Sequence, residues 1–268
     1  MIVDMGHHKK RFGQHFLHDQ HVLQQITSAI NPQANQRIIE IGPGAGALTK
    51  HLLPELTQLT VIELDRDLIP VLKKLEENSS CELSIINRDV LEIDFETLVT
   101  TANTPLRIVG NLPYNISTPV IFKCLESSNI IDEMIFLLQK EVVDRLTATP
   151  GSKSYGRLSV MTQYHCQTEY LLDVSPAAFT PPPRVNSALV KLKPHNKLLD
   201  LLEYKTLQTV VRNAFSQRRK TITNSLKTLI SVSEIEALKI NPKLRPEQLS
   251  VEQFVDLSNH VSTTKNVD

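Results

Sequence analysis

The chain has 268 residues, 41% of them hydrophobic, with 29 basic and 29 acidic side chains. That is enough apolar material for a sizeable core, and no apolar run is long enough to span a membrane, so an integral helical membrane protein is excluded. Three dispersed cysteines, Cys81, Cys124 and Cys166, form neither a disulfide framework nor a zinc spacing, and a formal net charge of zero means that any nucleic-acid contact must come from local patches.

The stretch from Met1 to Lys10 lacks an apolar signal core, which leads to the expectation of a cytoplasmic protein. His7 to Leu17 is basic with interleaved aromatics, and no acid lies between Asp4 and Asp19. Lys9, Lys10 and Arg11 are candidate phosphate contacts there, although the same residues also make an ordinary solvated tail. His15, His18 and His21 recur at three-residue steps, but no Cys or carboxylate cluster joins them, so no metal is expected. Gln20 to Ile30 carries Val22, Leu23, Ile26 and Ile30 on one helical face and ends at Asn31-Pro32.

Arg37 to Ile41 is a short apolar run suited to a buried parallel strand, and it runs straight into Gly42-Pro43-Gly44-Ala45-Gly46 and a helix opening over Ala47 to Leu53. Glycines let the backbone turn sharply and approach a ligand closely. The third glycine comes one residue too early for a dinucleotide fingerprint, and Pro43 removes an N–H from any phosphate cradle, so a ligand without a pyrophosphate is favoured. Glu40, just before the turn, can meet a cationic ligand group or water. Leu59 to Leu64 is the next strand; Glu63 near its end has the spacing of an acid that accepts ribose hydroxyls. Asp65 reads as the cap of a helix around Leu68 to Leu75. Leu83 to Ile86 is a third strand, with Asp89 beyond its end able to hold an adenine amine. Glu63 and Asp89 each also fit a plain strand-end cap or surface acid.

Leu106 to Gly110 is a fourth strand, followed by Asn111-Leu112-Pro113-Tyr114 where open α/β sheets bind ligands. Asn111 offers an amide acceptor, Pro113 stiffens the loop and aims its carbonyls, and Tyr114 offers a flat face. Such a set suits a planar group bearing an NH₂, of which adenine is one. Alone, the tetrapeptide also fits an ordinary strand-to-helix turn capped near Ser117. A helix over Thr118 to Leu125, a strand over Glu133 to Leu138, helices over Lys140 to Leu146 and Arg157 to His165, and a strand over Tyr170 to Val174 follow. Phe179 to Val185 is a stiff connector, and Ser187 to Lys193 alternates like an edge strand. From Leu199 the pattern is helical: a Leu207, Val210, Val211, Ala214 and Phe215 stripe, then helices over Thr221 to Ile230, Ser233 to Leu238 and Val251 to His260. No acid lies between Glu203 and Glu234, and Arg212, Arg218, Arg219 and Lys220 in that stretch read as an RNA-binding face, or as a solvated basic helix pair. Ser262 to Asp268 is expected to be disordered.

The ordered set Q-H-F-L at Gln14 to Leu17, E-I-G-P-G at Glu40 to Gly44, V-I-E-L-D at Val61 to Asp65, N-L-P-Y-N-I-S at Asn111 to Ser117 and F-T-P-P-P-R-V-N-S at Phe179 to Ser187 resembles the ribosomal RNA adenine dimethyltransferases, in particular their bacterial small-subunit branch. The resemblance implies an α/β fold: a Rossmann-like S-adenosylmethionine-dependent methyltransferase sheet over residues 1–195 with the basic arm, and a small all-α carboxyl-terminal RNA-binding domain over 196–268. It implies dimethylation of N6 on two adjacent adenosines in the loop of the 3′-terminal helix of 16S (small-subunit) ribosomal RNA, within a precursor of the 30S particle, by a monomer that uses no metal and no membrane. Cofactor contacts are implied at His15, Leu17, Gly42, Glu63, Asp89 and Asn111; the first of these is commonly Asn in the family. The catalytic set would be Asn111, Leu112, Pro113 and Tyr114, with Phe179 covering the opposite face of the base. Three rivals share parts of the pattern: a macrolide-resistance enzyme acting on large-subunit RNA, a non-catalytic ribosome-assembly factor, and a DNA N6-adenine methyltransferase with an N/D-P-P-Y loop.

Overall fold

A computed structural model describes residues 15–99, 105–217 and 219–265. The elements begin with a two-residue strand β1 (Phe16–Leu17) and helix α1 (Gln20–Ile30), whose amino end is capped by Asp19 and whose carboxyl end turns left-handed at Asn31. Then come β2 (Arg37–Ile41), α2 (Thr49–Leu52), β3 (Gln58–Ile62), α3 (Ile69–Glu77), β4 (Glu82–Ile86), β5 (Leu106–Asn111), α4 (Ser117–Glu126) and β6 (Ile131–Gln139). They are followed by α5 (Lys140–Leu146), α6 (Arg157–His165), β7 (Cys166–Val174), β8 (Phe179–Thr180) and β9 (Ser187–Pro194). The chain closes with α7 (Tyr204–Ala214), α8 (Ile222–Leu226), α9 (Val232–Ala237) and α10 (Val251–Lys265).

Seven strands form one sheet in the order β4-β3-β2-β5-β6-β9-β7. The chain lays down β2, works outward through β3 and β4, and returns to place β5 on the other side of β2, parallel throughout. The strand order therefore reverses between β2 and β5, the place where doubly wound sheets leave a crevice beyond their carboxyl ends. Aligned registers put Ile41, Ile62 and Ile86 side by side, so Gly42, Glu63 and Asn87 leave the sheet together. The ladder runs one step further through Gly42 N–H to Ile62 O (2.9 Å) and Glu63 N–H to Ile86 O (3.0 Å).

β9 departs from the expected edge strand. It is antiparallel to β6 and sits between β6 and β7, with Ser187, Ala188, Leu189 and Val190 all buried. Its polar members, Lys191 and Lys193, lie at the far end, so alternation in that half imitated an edge while the insertion covers both faces of the first half. Two other expectations shift at helix ends: α8 stops at Leu226, and α10 continues through Ser262 to Lys265, so that part of the tail is helix with Val261 and Ser262 buried.

The chain divides into two compact units: Met1–Val143 with Glu169–Pro194, and Asp144–Thr168 with His195–Asp268. The segment carrying α6 groups with the carboxyl-terminal helices. In the second unit the apolar stripe of α7 is buried and α7 packs with α10, around Ile222, Leu226, Ile235 and Phe254. In the first unit Arg107, a buried cation in β5, is held by Gln36 Oε1, the carbonyl of Ile30 and Glu133 Oε1. Three acceptors on a buried guanidinium tie α1, β2's approach and β6 to the central strand. All three cysteines are buried thiols.

Gly110 lies where β5 passes β2 closely: a Cβ there would stand 2.4 Å from the carbonyl oxygen of Ile41. Backbone cannot yield cheaply, so Gly110→Ala is expected to cost about 1–3 kcal/mol of stability. Thermal or urea unfolding of the purified variant measures this, and an unchanged midpoint would contradict the close approach.

Candidate active site

The turn after β2 uses left-handed backbone at Gly42, Gly44 and Gly46 (φ 66°, 59° and 78°). A Cβ on Gly44 would meet the ring of Phe16 at 3.0 Å, so the turn and the amino-terminal strand are fitted to each other. Glu63 locks the turn in place. Its Oε2 accepts from Gly44 N–H (3.0 Å) and its Oε1 from Asp65 N–H (2.8 Å). Glu63 is 4% exposed and Glu40, beside it, 2%. Among the described residues the Glu40 carboxyl has one hydrogen bond, accepted by Oε2 from Thr49 Oγ1 at 2.7 Å.

Burial pushes the Glu40 carboxyl up from 4.5 to about 7; the Thr49 bond works against this and the neighbouring Glu63 charge adds to it. Glu63 is also raised, by burial first, with its backbone bonds opposing. Two buried acids without a basic partner among the described residues therefore face one space.

That space is a cavity of about 430 Å³ whose wall includes His15, Leu17, Gly42, Glu40, Glu63 and Asn111. Leu112, Pro113, Tyr114 and Thr180 line it too. A smaller cavity of about 160 Å³ is lined by Gly42, Glu63 and Pro113 again, and by Arg88, Asp89 and Val90. The shared residues make the two neighbours across the switch point. Asp89 uses Oδ1 to accept from Leu91 N–H (2.9 Å), so it is a cap as well as a wall residue.

The Asn111 loop is fastened from three directions. Asn111 Nδ2 donates to the carbonyl of His15 (3.1 Å), which orients the amide and leaves Oδ1 as acceptor. Leu112 as a whole residue is 1% exposed, and it lines the cavity. The Pro113 carbonyl accepts from Ile116 N–H (3.1 Å), which leaves Leu112 O as the loop carbonyl with no intramolecular bond among those described. Tyr114 Oη shares a 2.6 Å hydrogen bond with Ser187 Oγ at the start of β9. Burial raises the Tyr114 phenol, keeping it neutral, so it is a ring and not a base. The ring of His15 lies 5.4 Å from that of Tyr114, tilted by 33°, while His15 Nδ1 is 2.7 Å from the carbonyl of Pro181.

Most of the sequence-derived candidates in this unit thus converge. Phe179 does not: it is 2% exposed, in the hydrophobic core, and absent from the cavity wall. Pairing of Leu17 with Phe179 and of Phe16 with Thr180 turns Phe179 inward and gives the wall position to Thr180. In the second unit Arg212, Arg219 and Lys220 are exposed. Lys9, Lys10, Arg11 and Arg218 lie outside the described residues. Among the described residues there is no cluster able to hold a metal, including around His15, His18 and His21, and no helix long and apolar enough to cross a membrane. Thr49 and Ser187 were not singled out from sequence; nothing local marks a threonine nine residues past a glutamate as its partner.

A mostly parallel seven-stranded sheet with one antiparallel strand inserted, a glycine turn, an acid beyond the next strand and an N-L-P-Y loop define a Rossmann-like methyltransferase. The chain belongs to the ribosomal RNA adenine dimethylase family, whose model matches residues 5–263. It is 53% identical over 252 residues to a ribosomal RNA small subunit methyltransferase A of Coxiella burnetii, covering 94% of this chain and 96% of that protein. It is 52% identical over 255 residues to the protein of the same name from Pseudomonas aeruginosa, covering 95% and 94%. Its fold is shared with the crystal structure of a dimethyladenosine transferase from Plasmodium falciparum (TM-score 0.79, 24% identity, 94% of this chain and 98% of that one). The 23S rRNA methyltransferase ErmE shares it as well (TM-score 0.72, 24% identity, 92% and 99%).

The donor set fits S-adenosylmethionine. Two buried, unneutralised carboxylates suit a ligand with cationic groups, and the smaller cavity with Asp89 suits a nucleoside end. Each Glu63 oxygen accepts one backbone N–H and retains a lone pair for a ribose hydroxyl.

Because Glu40 is protonated in the fold at pH values where the unfolded chain has lost the proton, its contribution to stability is present below about 4.5 and is lost as pH rises toward about 7. The stability of wild type relative to Glu40→Gln should therefore fall across that window, by at most roughly 1.4 kcal/mol per pH unit. Melting of both ligand-free proteins from acid to neutral pH tests this; parallel profiles would contradict the raised carboxyl.

Proposed function

We propose that this chain transfers methyl groups from S-adenosylmethionine to N6 of two adjacent adenosines in the loop of the 3′-terminal helix of small-subunit ribosomal RNA, two on each, within a precursor of the 30S particle. The observation that carries this reading is the fastened Asn111 loop, which presents Asn111 Oδ1 and Leu112 O beside the Tyr114 ring on one cavity wall. Identity of 52–53% to proteins named for the small subunit favours that target over the large-subunit alternative. The intact loop and acids favour an active enzyme over a non-catalytic assembly factor.

The lone pair of an adenine amine is delocalised into the ring, so N6 is a weak nucleophile. Asn111 Oδ1 and Leu112 O accept its two hydrogens and hold the nitrogen pyramidal, with its lone pair free. Tyr114 stacks on the base, a contact worth roughly 1–3 kcal/mol. Bound S-adenosylmethionine supplies a methyl on a sulfonium, already activated toward nucleophiles. Glu63 would hold the cofactor's ribose hydroxyls and Asp89 its adenine amine, with Gly42, Leu17 and His15 as further wall residues for it. The N6 proton becomes acidic once the N–C bond has formed and leaves to water, so no strong base is needed. Catalysis is then mostly positioning and electrostatics, and the target adenosine must leave its stack to enter.

Purified protein, labelled S-adenosylmethionine and small subunits lacking the modification should yield dimethyladenosine in the small-subunit RNA by mass spectrometry. Asn111→Ala should lower transfer about a hundredfold at saturating cofactor; full transfer by that variant would remove Asn111 from the chemistry. Arg212, Arg219 and Lys220 form the described part of a phosphate-binding face. Reversing charge at Arg219 and Lys220 should weaken binding of immature subunits and flatten its dependence on salt, and an unaltered salt slope takes that face out of the interface.

A further inference from the structure

The large cavity carries its charges in two separate places. The acids, Glu40 and Glu63, are buried beside the glycine turn. Another part of the wall, built by the start of α1 and by α2, contains His18, Gln20, Lys50 and His51. His18 and Lys50 are exposed, and Lys50 enters no ion pair among the described residues. Gln20 joins the group: its Nε2 donates to the His18 carbonyl (3.3 Å) and its Oε1 faces His51 Nε2 (3.3 Å). Since the first bond orients the amide, Oε1 is the acceptor and His51 Nε2 carries a hydrogen. The acid in this segment, Asp19, is turned away: its Oδ1 accepts from His21 N–H (2.9 Å) and Val22 N–H (3.1 Å), and it does not line the cavity. The cavity is therefore acidic by the turn and basic at its exposed part.

A base drawn into the pocket brings its sugar and flanking phosphates to the mouth. A basic, acid-free rim there matches that chain of charges. We propose that Lys50, which lines the same cavity as His18 and His51, is a phosphate site that receives the RNA backbone next to the flipped adenosine. This rests on the reading of the chain as an RNA methyltransferase. The same cationic rim also suits the carboxylate of the methyl donor, and the two sources separate experimentally.

The test uses the full-length wild type, Lys50→Gln and Lys50→Arg, with three readouts: the cofactor dissociation constant by calorimetry, the salt dependence of affinity for unmodified small subunits, and the same salt dependence on a short single-stranded adenosine-containing RNA. For Lys50→Gln the slope of log affinity against log salt should fall by about one on both RNAs, with cofactor affinity within about twofold of wild type and Lys50→Arg restoring the slope. Unchanged slopes overturn the proposal. So does a loss of cofactor affinity with unchanged slopes, which assigns the rim to the donor's carboxylate. Failure of the wider reading looks different: wild type forms no dimethyladenosine on the subunit, while the short RNA still reports on Lys50.

Discussion

The carboxylate of Glu63 is the constraint on which the site depends. It bridges two backbone N–H groups, one in the glycine turn after β2 and one beyond the end of β3. A buried anion is tolerated when backbone donors hold it. Here those donors also fix the path of the turn, so the energetic requirement of the acid and the shape of the cavity are one fact. Glu40 then lies beside it, clamped by Thr49, and the Glu63 charge adds to the cost of ionising Glu40 that burial sets. Such a wall rejects anions and favours a ligand bearing positive charge.

The opposite wall depends on contacts between segments far apart in the chain. His15 reaches Pro181, Asn111 reaches the His15 carbonyl, and Tyr114 reaches Ser187. These are short chains of polar contacts on groups that would be mobile alone. Together they hold the orientation of an amide and of a ring, the two features an amine-bearing base would read. The His15 ring packs against that of Tyr114. A loop of the same composition without these ties would sample many orientations, and its acceptors would lose the advantage of being set in advance.

Beneath the site, Arg107 gathers Gln36, Ile30 and Glu133 around the central strand. Removing any acceptor would leave part of a buried guanidinium unsatisfied, a larger penalty than the net value of the bond itself. The second unit has its own apolar centre, and it recruits the α6 segment from between two strands of the sheet. Arg212, Arg219 and Lys220 lie on its exposed helix and turn surface.

Local chemistry was legible from the amino-acid order. Apolar runs located β2 to β6, glycines and prolines located the turns, and acids beyond strand ends marked the cavity-facing edge, because strand period and turn geometry are properties of short segments. The N-L-P-Y loop and the motifs around it were sufficient to place the chain in its family. What the order of residues could not reveal was partnership across distance. β9 alternates like an edge strand, yet it is inserted between β6 and β7. Phe179 stands in a motif beside the site, yet pairing of β1 with β8 turns it into the core. Thr49 as the partner of Glu40, Ser187 as the partner of Tyr114, and Lys50 in the cavity wall became visible only in the fold. Which neighbour a side chain finds is settled by packing and register between segments tens of residues apart, and no local pattern encodes that choice.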